Sequence, residues 1–140
     1  MLAHIAFYTD KMDKSIDFYR SLFGFRKAFT LYKDDGKPWI EYLIDVNGAF
    51  IEFFYAETLV QDKQGSGSFA HFCLEVDDIE EVISRSTALG IPLHKPLKVG
   101  LDHSLQCWFK DPNGVQVEVM QMTEQSLQTK LRKELIEEGS

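Results

Sequence analysis

The sequence contains an internal repeat, and this repeat strongly limits the folds open to the chain. HIAFYTD begins at His4, and the similar HFCLEVD begins at His71, 67 positions later. VNGAFIEFF at 46–54 lies 66 positions before PNGVQVEVM at 112–120. A slip of one residue aligns the two halves, so the chain is predicted to fold as two copies of one supersecondary unit.

Each half is predicted to form one strand, one helix and three further strands. Alternating apolar residues indicate a strand over 3–9, and apolar residues at helical spacing indicate a helix over 12–23 that Gly24 ends. Asn47-Gly48 predicts a tight hairpin. The other predicted elements are strands at 25–33, 38–46, 48–56, 69–76, 92–98, 104–110 and 114–121 and a helix at 78–89.

The chain is expected to be one α+β domain, since its 140 residues suit a single core shared by two modules. QDKQGSGS has the composition of a flexible linker between the modules. The predicted boundaries are module one at 1–60, the linker at 61–68, module two at 69–121 and a C-terminal helix at 123–138.

The C-terminal helix lies outside the repeat. Thr123 is predicted to cap it. Leu127, Leu131 and Leu135 form an apolar stripe along one face. This stripe is expected to pack on the body of the protein or on a neighbouring subunit.

Composition and charge exclude several classes of function. The formal net charge is −7, so the surface repels a phosphate backbone and nucleic acid is not an expected partner. No stretch approaches the roughly 20 apolar residues of a membrane helix, and no secretory leader is predicted. Cys73 and Cys107 form no close metal-binding pair and are expected to be free thiols, so a cytoplasmic location is predicted.

A histidine and a glutamate recur on the polar face of two strands in each half. His4 and Glu52 are spaced like His71 and Glu118, and the alternate positions of all four segments are apolar. A carboxylate among apolar side chains is costly unless it is paired or bound to a metal. Two imidazoles and two carboxylates suit one divalent ion, with Ni or Zn expected first and Co, Mn or Fe as further candidates.

Several other side chains share the faces that carry these four residues. Their alternation with core positions makes them candidates to line a substrate pocket, although a plain core role is the competing interpretation. For Cys73, a buried inert thiol is favoured over a nucleophile. The candidate pocket residues are Tyr8, Phe50, Phe54, Cys73, Trp108 and Met120.

The repeat resembles the glyoxalase I branch of the vicinal oxygen chelate superfamily over roughly residues 1–121. The resemblance rests on HIAFYTDKMDKSIDFYRSLFGF, AFIEFF, FAHFCLEVDDIEEV and FKDPNGVQVEVM. It implies tandem βαβββ modules that form a curved, mostly antiparallel sheet around a metal with open coordination positions. It also implies a homodimer with sites at the subunit interface. The residues that match the family's ligands are His4, Glu52, His71 and Glu118.

The resemblance further implies a lactoylglutathione lyase-like enzyme that acts on a small carbonyl compound or a hemithioacetal. Such an enzyme moves a proton next to a carbonyl through an enediolate. Glu118 is hypothesised to be the principal base, with Glu52 assisting or exchanging roles with it. Tyr8 and Ala56 stand where glutathione-using relatives often carry an arginine and an asparagine, so glutathione and another thiol are both candidate co-substrates. The alternatives are a metal-dependent epimerase or dioxygenase and a noncatalytic binding protein of the resistance type.

Overall fold

The computed structural model describes residues 2–59 and 67–140, and these residues form eight strands and three helices. They fall into two compact units. The first comprises Met1–Gly67 with Asp111–Gly114, and the second comprises Ser68–Lys110 with Val115–Ser140. This content confirms the predicted α+β class.

The first unit is a four-stranded mixed sheet with one helix. Strand β1 runs parallel to β4, the other neighbours are antiparallel, and the strand order is β1-β4-β3-β2. Helix α1 matches its predicted bounds residue for residue. The elements are β1 His4–Thr9, α1 Met12–Phe23, β2 Arg26–Tyr32, β3 Pro38–Ile44 and β4 Phe50–Tyr55.

The second unit repeats this topology with the order β5-β8-β7-β6, and β5 is parallel to β8. The repeated βαβββ architecture that the sequence predicts is therefore confirmed. The strand predicted at 69–76 is shorter than expected, because the ladder begins only at Phe72 and leaves His71 just before it. The elements are β5 Phe72–Glu75, α2 Ile79–Ala88, β6 Lys95–Val99, β7 Leu105–Lys110, β8 Gln116–Gln121 and α3 Leu127–Glu138.

The ends of the helices follow local chemistry. Gly24 adopts a left-handed conformation with φ of 74°, which a side chain at that position would disfavour. Its N–H donates to the Arg20 carbonyl and the next N–H to the Tyr19 carbonyl, so two carbonyls at the end of α1 are satisfied. At the start of α2, the Asp78 carboxylate accepts two backbone N–H groups in the first turn.

Each unit has its own apolar core between the helix and the sheet. In the first unit, Tyr19 is fully buried and packs edge-on or tilted against Phe18, Phe25 and Phe53, with ring centroids 5.0 to 6.0 Å apart. Burying an aromatic ring of this size contributes about 1.5–3 kcal/mol. In the second unit, the buried apolar residues on the helix side are Ile79, Val82, Cys107, Phe109, Val117 and Val119, whereas Trp108 and Met120 are buried on the other face of the sheet.

The C-terminal helix differs from its prediction in two ways. It begins at Leu127, after a turn in which Ser126 is the N-cap residue, so Thr123 is not the cap. Thr123 instead donates its hydroxyl to the His103 carbonyl and receives the Gln125 N–H. No residue of α3 is buried, and Leu127, Leu131 and Leu135 stay more than half exposed. The stripe therefore does not pack on the body of the protein, and its packing on a neighbouring subunit stays a prediction.

The structure does not test the predicted linker, the single domain or the location of the protein. The predicted linker at 61–68 falls outside the described residues except for its last two positions. No described helix combines the length and the apolar character that crossing a membrane requires. The single domain over 1–140 and the cytoplasmic location stay predictions.

A buried polar cluster in the first unit joins α1 to the turn at Asp111–Gly114. The Thr9 hydroxyl donates to Asn113 Oδ1 at 2.8 Å, and Asn113 Nδ2 donates to Ser15 Oγ at 2.9 Å. The Tyr19 hydroxyl donates to Asp111 Oδ2 at 2.9 Å. Because Thr9 and Ser15 are fully buried, Asn113 satisfies hydroxyl groups that water cannot reach.

We expect Asn113→Ala to lower the free energy of unfolding by about 1–3 kcal/mol, because it strips partners from two buried hydroxyls. Urea denaturation followed by circular dichroism measures this. The repeat supplies a control at Asn47, which occupies the equivalent turn but is exposed and has no side-chain partner among the described residues. Asn47→Ala should cost less than about 0.5 kcal/mol. Equal losses in the two variants would contradict the role given to Asn113.

Glu41 is a buried carboxylate on the face of the sheet that packs against α1. It accepts the hydroxyls of Thr30 at 2.7 Å and Tyr55 at 2.9 Å, and Lys27 Nζ lies 3.1 Å away. Burial raises the pKa of Glu41, but these three partners outweigh it and leave the pKa below its usual value. The glutamate is therefore held ionised by its partners.

Because the folded pKa of Glu41 is lowered, its contribution to stability is complete above the unfolded pKa of about 4.3 and is lost as the pH falls through the folded value. We expect Glu41→Gln to destabilise the protein by about 1–3 kcal/mol at pH 7, and the difference from wild type to shrink below about pH 4. Thermal unfolding at several pH values measures this. Glu134→Gln, on the exposed side of α3, is the control, and its stability relative to wild type should not depend on pH. If the stability difference between Glu41→Gln and wild type were the same at every pH, Glu41 would not be the ionised group described here.

Candidate functional site

The first candidate pair joins the first and last strands of the first unit. Because β1 and β4 are parallel neighbours, His4 lies beside Phe50 and two residues from the position opposite Glu52. His4 Nε2 is 3.7 Å from Glu52 Oε1. The imidazole is half exposed, whereas Glu52 is only 7% exposed.

The second candidate pair has the same construction. His71 immediately precedes β5, and Glu118 lies in β8 opposite Cys73. His71 Nε2 is 3.0 Å from Glu118 Oε2, and Glu118 is again 7% exposed. The repeat therefore places one accessible imidazole against one buried carboxylate in each unit.

Strand alternation explains why these groups lie on the face away from the helices. The neighbours of Glu52, Ile51 and Phe53, are buried in the first core. Val117 and Val119 flank Glu118 in the same way and are completely buried. A shift of register by one residue would bury the carboxylates in the core, so the apolar pattern itself holds them in place.

The sequence analysis missed Tyr42, which is the register partner of Glu52 on β3. Its hydroxyl donates to the Glu52 carboxylate, and this hydrogen bond raises the pKa of Tyr42. Tyr42 also stacks on Phe29, with ring centroids 4.3 Å apart. The repeat could have identified Tyr42, because it lies 66 positions before the candidate Trp108 and is therefore its equivalent in the first module.

Trp108 occupies the matching place in the second unit. It is the register partner of Glu118, and its ring lies edge-on against His71 with centroids 4.6 Å apart. Its indole N–H donates to Gln106 Oε1 at 3.3 Å, which restrains the ring. The structure thus brings Trp108, predicted as a pocket residue, directly against the histidine of the second pair.

Cys73 lies beside the second pair, opposite Glu118 in the strand register. Desolvation of the sulfur raises the pKa of Cys73 to about 12, and the Glu118 carboxylate adds to the rise, although part of the residue remains exposed. The thiol is therefore protonated near neutral pH, which favours the inert interpretation over a nucleophile.

The remaining predicted pocket residues are split between the units. In the first, Tyr8 is 64% exposed and its ring lies 5.4 Å from that of Phe54. Phe50 lies edge-on to Tyr42 at 6.2 Å. In the second, Met120 is buried on β8 opposite Glu75. The face around Glu52 is thus largely aromatic.

Among residues 2–59 and 67–140, no three His, Cys, Asp or Glu side chains are grouped closely enough to hold a metal ion. Each unit supplies two donors. A neutral imidazole nitrogen and a carboxylate oxygen are both ligands of Zn²⁺ and of similar divalent ions. The donor chemistry of each pair fits half of the predicted four-ligand set.

Comparison with known proteins shows the family. The sequence profile of the Glyoxalase/Bleomycin resistance protein/Dioxygenase superfamily matches residues 1–119. The chain belongs to this superfamily, which confirms the resemblance seen in its motifs.

Individual relatives are distant. The chain is 27% identical to a lactoylglutathione lyase from Pseudomonas putida, over 86% of this chain and 84% of that one. It is 25% identical to a lactoylglutathione lyase of known structure from Agrobacterium tumefaciens, with a TM-score of 0.64 and coverage of 86% and 92%. A point mutant of the fosfomycin resistance protein FosX from Listeria monocytogenes, solved with Mn(II), shares the fold at 18% identity and a TM-score of 0.66, over 94% of this chain and 97% of that one.

Proposed function

We propose that this protein is a divalent-metal-dependent lyase or isomerase of the glyoxalase type. The observation that carries the proposal is the repeated contact between an accessible histidine and a buried glutamate. The pairs are His4 with Glu52 and His71 with Glu118, at 3.7 and 3.0 Å. The distant similarity to lactoylglutathione lyases from two bacteria supports the same chemistry.

The two pairs together would hold one metal ion through two imidazole nitrogens and two carboxylates, drawn from one chain or from two chains of a homodimer. This ligand set suits Ni or Zn, and also Co, Mn or Fe. When bound, the ion would act as a Lewis acid that stabilises negative charge developing on the substrate oxygens.

The chain's own carboxylates would move the proton. The reaction removes a weakly acidic C–H proton next to a carbonyl and returns it one carbon away, through an enediolate. Glu118 is the better candidate for the base. Its Oε2 lies 3.0 Å from His71 Nε2, which leaves Oε1 available to the substrate. Glu52 interacts with the Tyr42 hydroxyl and would assist.

Aromatic side chains would orient the histidines and the substrate. The edge of Trp108 restrains the His71 ring, as their 4.6 Å separation indicates. In the first unit, Tyr8 and Phe54 offer an exposed apolar surface beside β1 and β4. Tyr8 and Ala56 cannot form the charged and amide contacts that glutathione-using relatives make. The proposed substrate is a small carbonyl compound or a hemithioacetal, and glutathione and other thiols both stay candidate co-substrates.

The proposed homodimer has a candidate contact surface. Leu127, Leu131, Leu135 and Ile136 leave an apolar stripe exposed along α3. A contiguous apolar face of this kind is typical of a contact between proteins.

A metal-dependent epimerase would use the same enolisation chemistry. A screen against acyl thioesters with a stereocentre at carbon 2 distinguishes this alternative from a glyoxalase-type lyase.

We expect the protein to bind one divalent ion per chain, and either His4→Ala or His71→Ala to weaken that binding by about 100-fold or more. Losing a direct ligand should exceed the 10–100-fold effect of losing an outer partner. Competition with a chromogenic chelator, together with metal analysis of the purified protein, measures this.

The contrasting result separates a shared site from two independent ones. If each pair bound its own ion, wild type would hold two per chain and each variant would hold one. That stoichiometry would contradict the proposal of a common centre. His94 lies in neither pair, so His94→Ala is the matched control and should bind as wild type does.

We expect Glu118→Gln to reduce turnover by about 100-fold or more while some metal is retained, because the amide can still coordinate but cannot accept the proton. The assay uses methylglyoxal hemithioacetals of several thiols with added Ni or Zn. NMR of substrate deuteration in heavy water detects proton removal even when product does not accumulate.

Glu41→Gln is the control for losing a buried carboxylate, since Glu41 lies on the opposite face of its sheet from Glu52. Assayed well below its melting temperature, it should retain activity. Wild-type rates in Glu118→Gln would remove Glu118 from the mechanism. Metal binding without activity on any of these substrates would point to an isomerase with a different enolisable substrate.

A further inference from the structure

The two units carry opposite chemistry at one equivalent position. Phe29 on β2 and Lys95 on β6 are 66 positions apart, and each pairs with the aromatic residue beside the candidate glutamate. Phe29 stacks on Tyr42 at 4.3 Å. Lys95 Nζ lies over the Trp108 ring, also 4.3 Å from its centroid. An aromatic side chain fits this position, so packing on the strand does not by itself require a lysine.

We propose that Lys95, held over Trp108, recognises an oxyanion group of the substrate, a carboxylate or a phosphate. The inference rests on the proposed function and narrows its substrate class. The substrate would be an enolisable carbonyl compound that carries a negative charge near its reacting carbons.

The position of Lys95 brings its ammonium close to the reacting groups. Lys95 is the register partner of Trp108, and Trp108 is the register partner of Glu118. Two strand spacings separate the backbones of Lys95 and Glu118, about 9–10 Å. The side chain of Lys95 lies on the face that carries Trp108 and His71. A molecule of a few carbons could therefore contact Glu118 and Lys95 together.

The charge of Lys95 is available for a ligand. Lys95 has no carboxylate partner among the described residues, and the ion-pair partner of Glu118 is His71. An ammonium over an indole face can still donate hydrogen bonds to a ligand, because its attraction to the ring does not occupy all of its N–H groups. Trp108 is itself held by Gln106, so the lysine is partly ordered before a ligand arrives, which reduces the entropy lost on binding.

Binding can be tested by NMR on the indole N–H signal of Trp108 in the full chain. The probes are succinate and methyl phosphate at constant ionic strength, titrated with and without added Zn²⁺. Both should shift the Trp108 signal in wild type, and the tighter probe identifies the preferred oxyanion. Lys95→Met keeps the apolar stem but loses the charge, and it should weaken binding about 10-fold, typical of one charge-assisted hydrogen bond.

Two further variants make the result specific. Lys95→Arg should retain most of the affinity, because it keeps the charge and the stacking. Lys133→Met removes one positive charge from the exposed side of α3 and should bind as wild type does. Equal affinity in wild type and Lys95→Met would overturn the proposal, and so would an equal loss in Lys133→Met, since that would indicate only net charge.

The titration without metal separates this inference from the proposed function. If anion binding depends on Lys95, the inference about Lys95 holds even when the chain binds no metal and turns over no substrate. In an active enzyme, Lys95→Met should raise KM about 10-fold for a substrate bearing a carboxylate and leave a neutral analogue unchanged. Equal changes for both substrates would refute a role in recognition.

Discussion

Parallel pairing between the first and last strand of each module is the constraint on which the candidate site depends. It sets β1 beside β4 and β5 beside β8, so that a histidine at the start of one strand, or just before it, reaches a glutamate in the middle of the other. The apolar alternation then holds both side chains on the face away from the helix, because the opposite register would bury a carboxylate in the core.

Duplication supplies the scaffold, and divergence supplies the chemistry. Asn47 and Asn113 occupy equivalent turns, but only Asn113 closes a buried hydrogen-bond cluster. The partner positions of the glutamates have diverged as well. Tyr42 donates to Glu52, whereas Trp108 braces His71 and carries an ammonium above its face. Equivalent backbones therefore present an aromatic surface in one unit and a partly cationic one in the other.

Buried carboxylates on the two faces of the first sheet illustrate structural and functional uses of the same group. Glu41 has two hydroxyl partners and an ammonium, so its charge is largely balanced by the fold itself. Glu52 has one hydroxyl partner and an accessible imidazole that is 3.7 Å away. A charge that the fold balances only in part is the kind of group that a bound cation would complete.

Local pattern in the sequence was sufficient to predict the repeat, the limits of α1 and the four residues of the two pairs, because periodicity and turn residues act over a few positions. The C-terminal helix was misjudged at its start, since both Thr123 and Ser126 can cap and only the packing of the turn chooses between them. Tyr42, Asn113, Glu41 and the place of Lys95 above Trp108 were decided by tertiary structure. Their roles come from residues on neighbouring strands or from distant parts of the chain, and strand register, which linear spacing does not reveal, determines which of them meet.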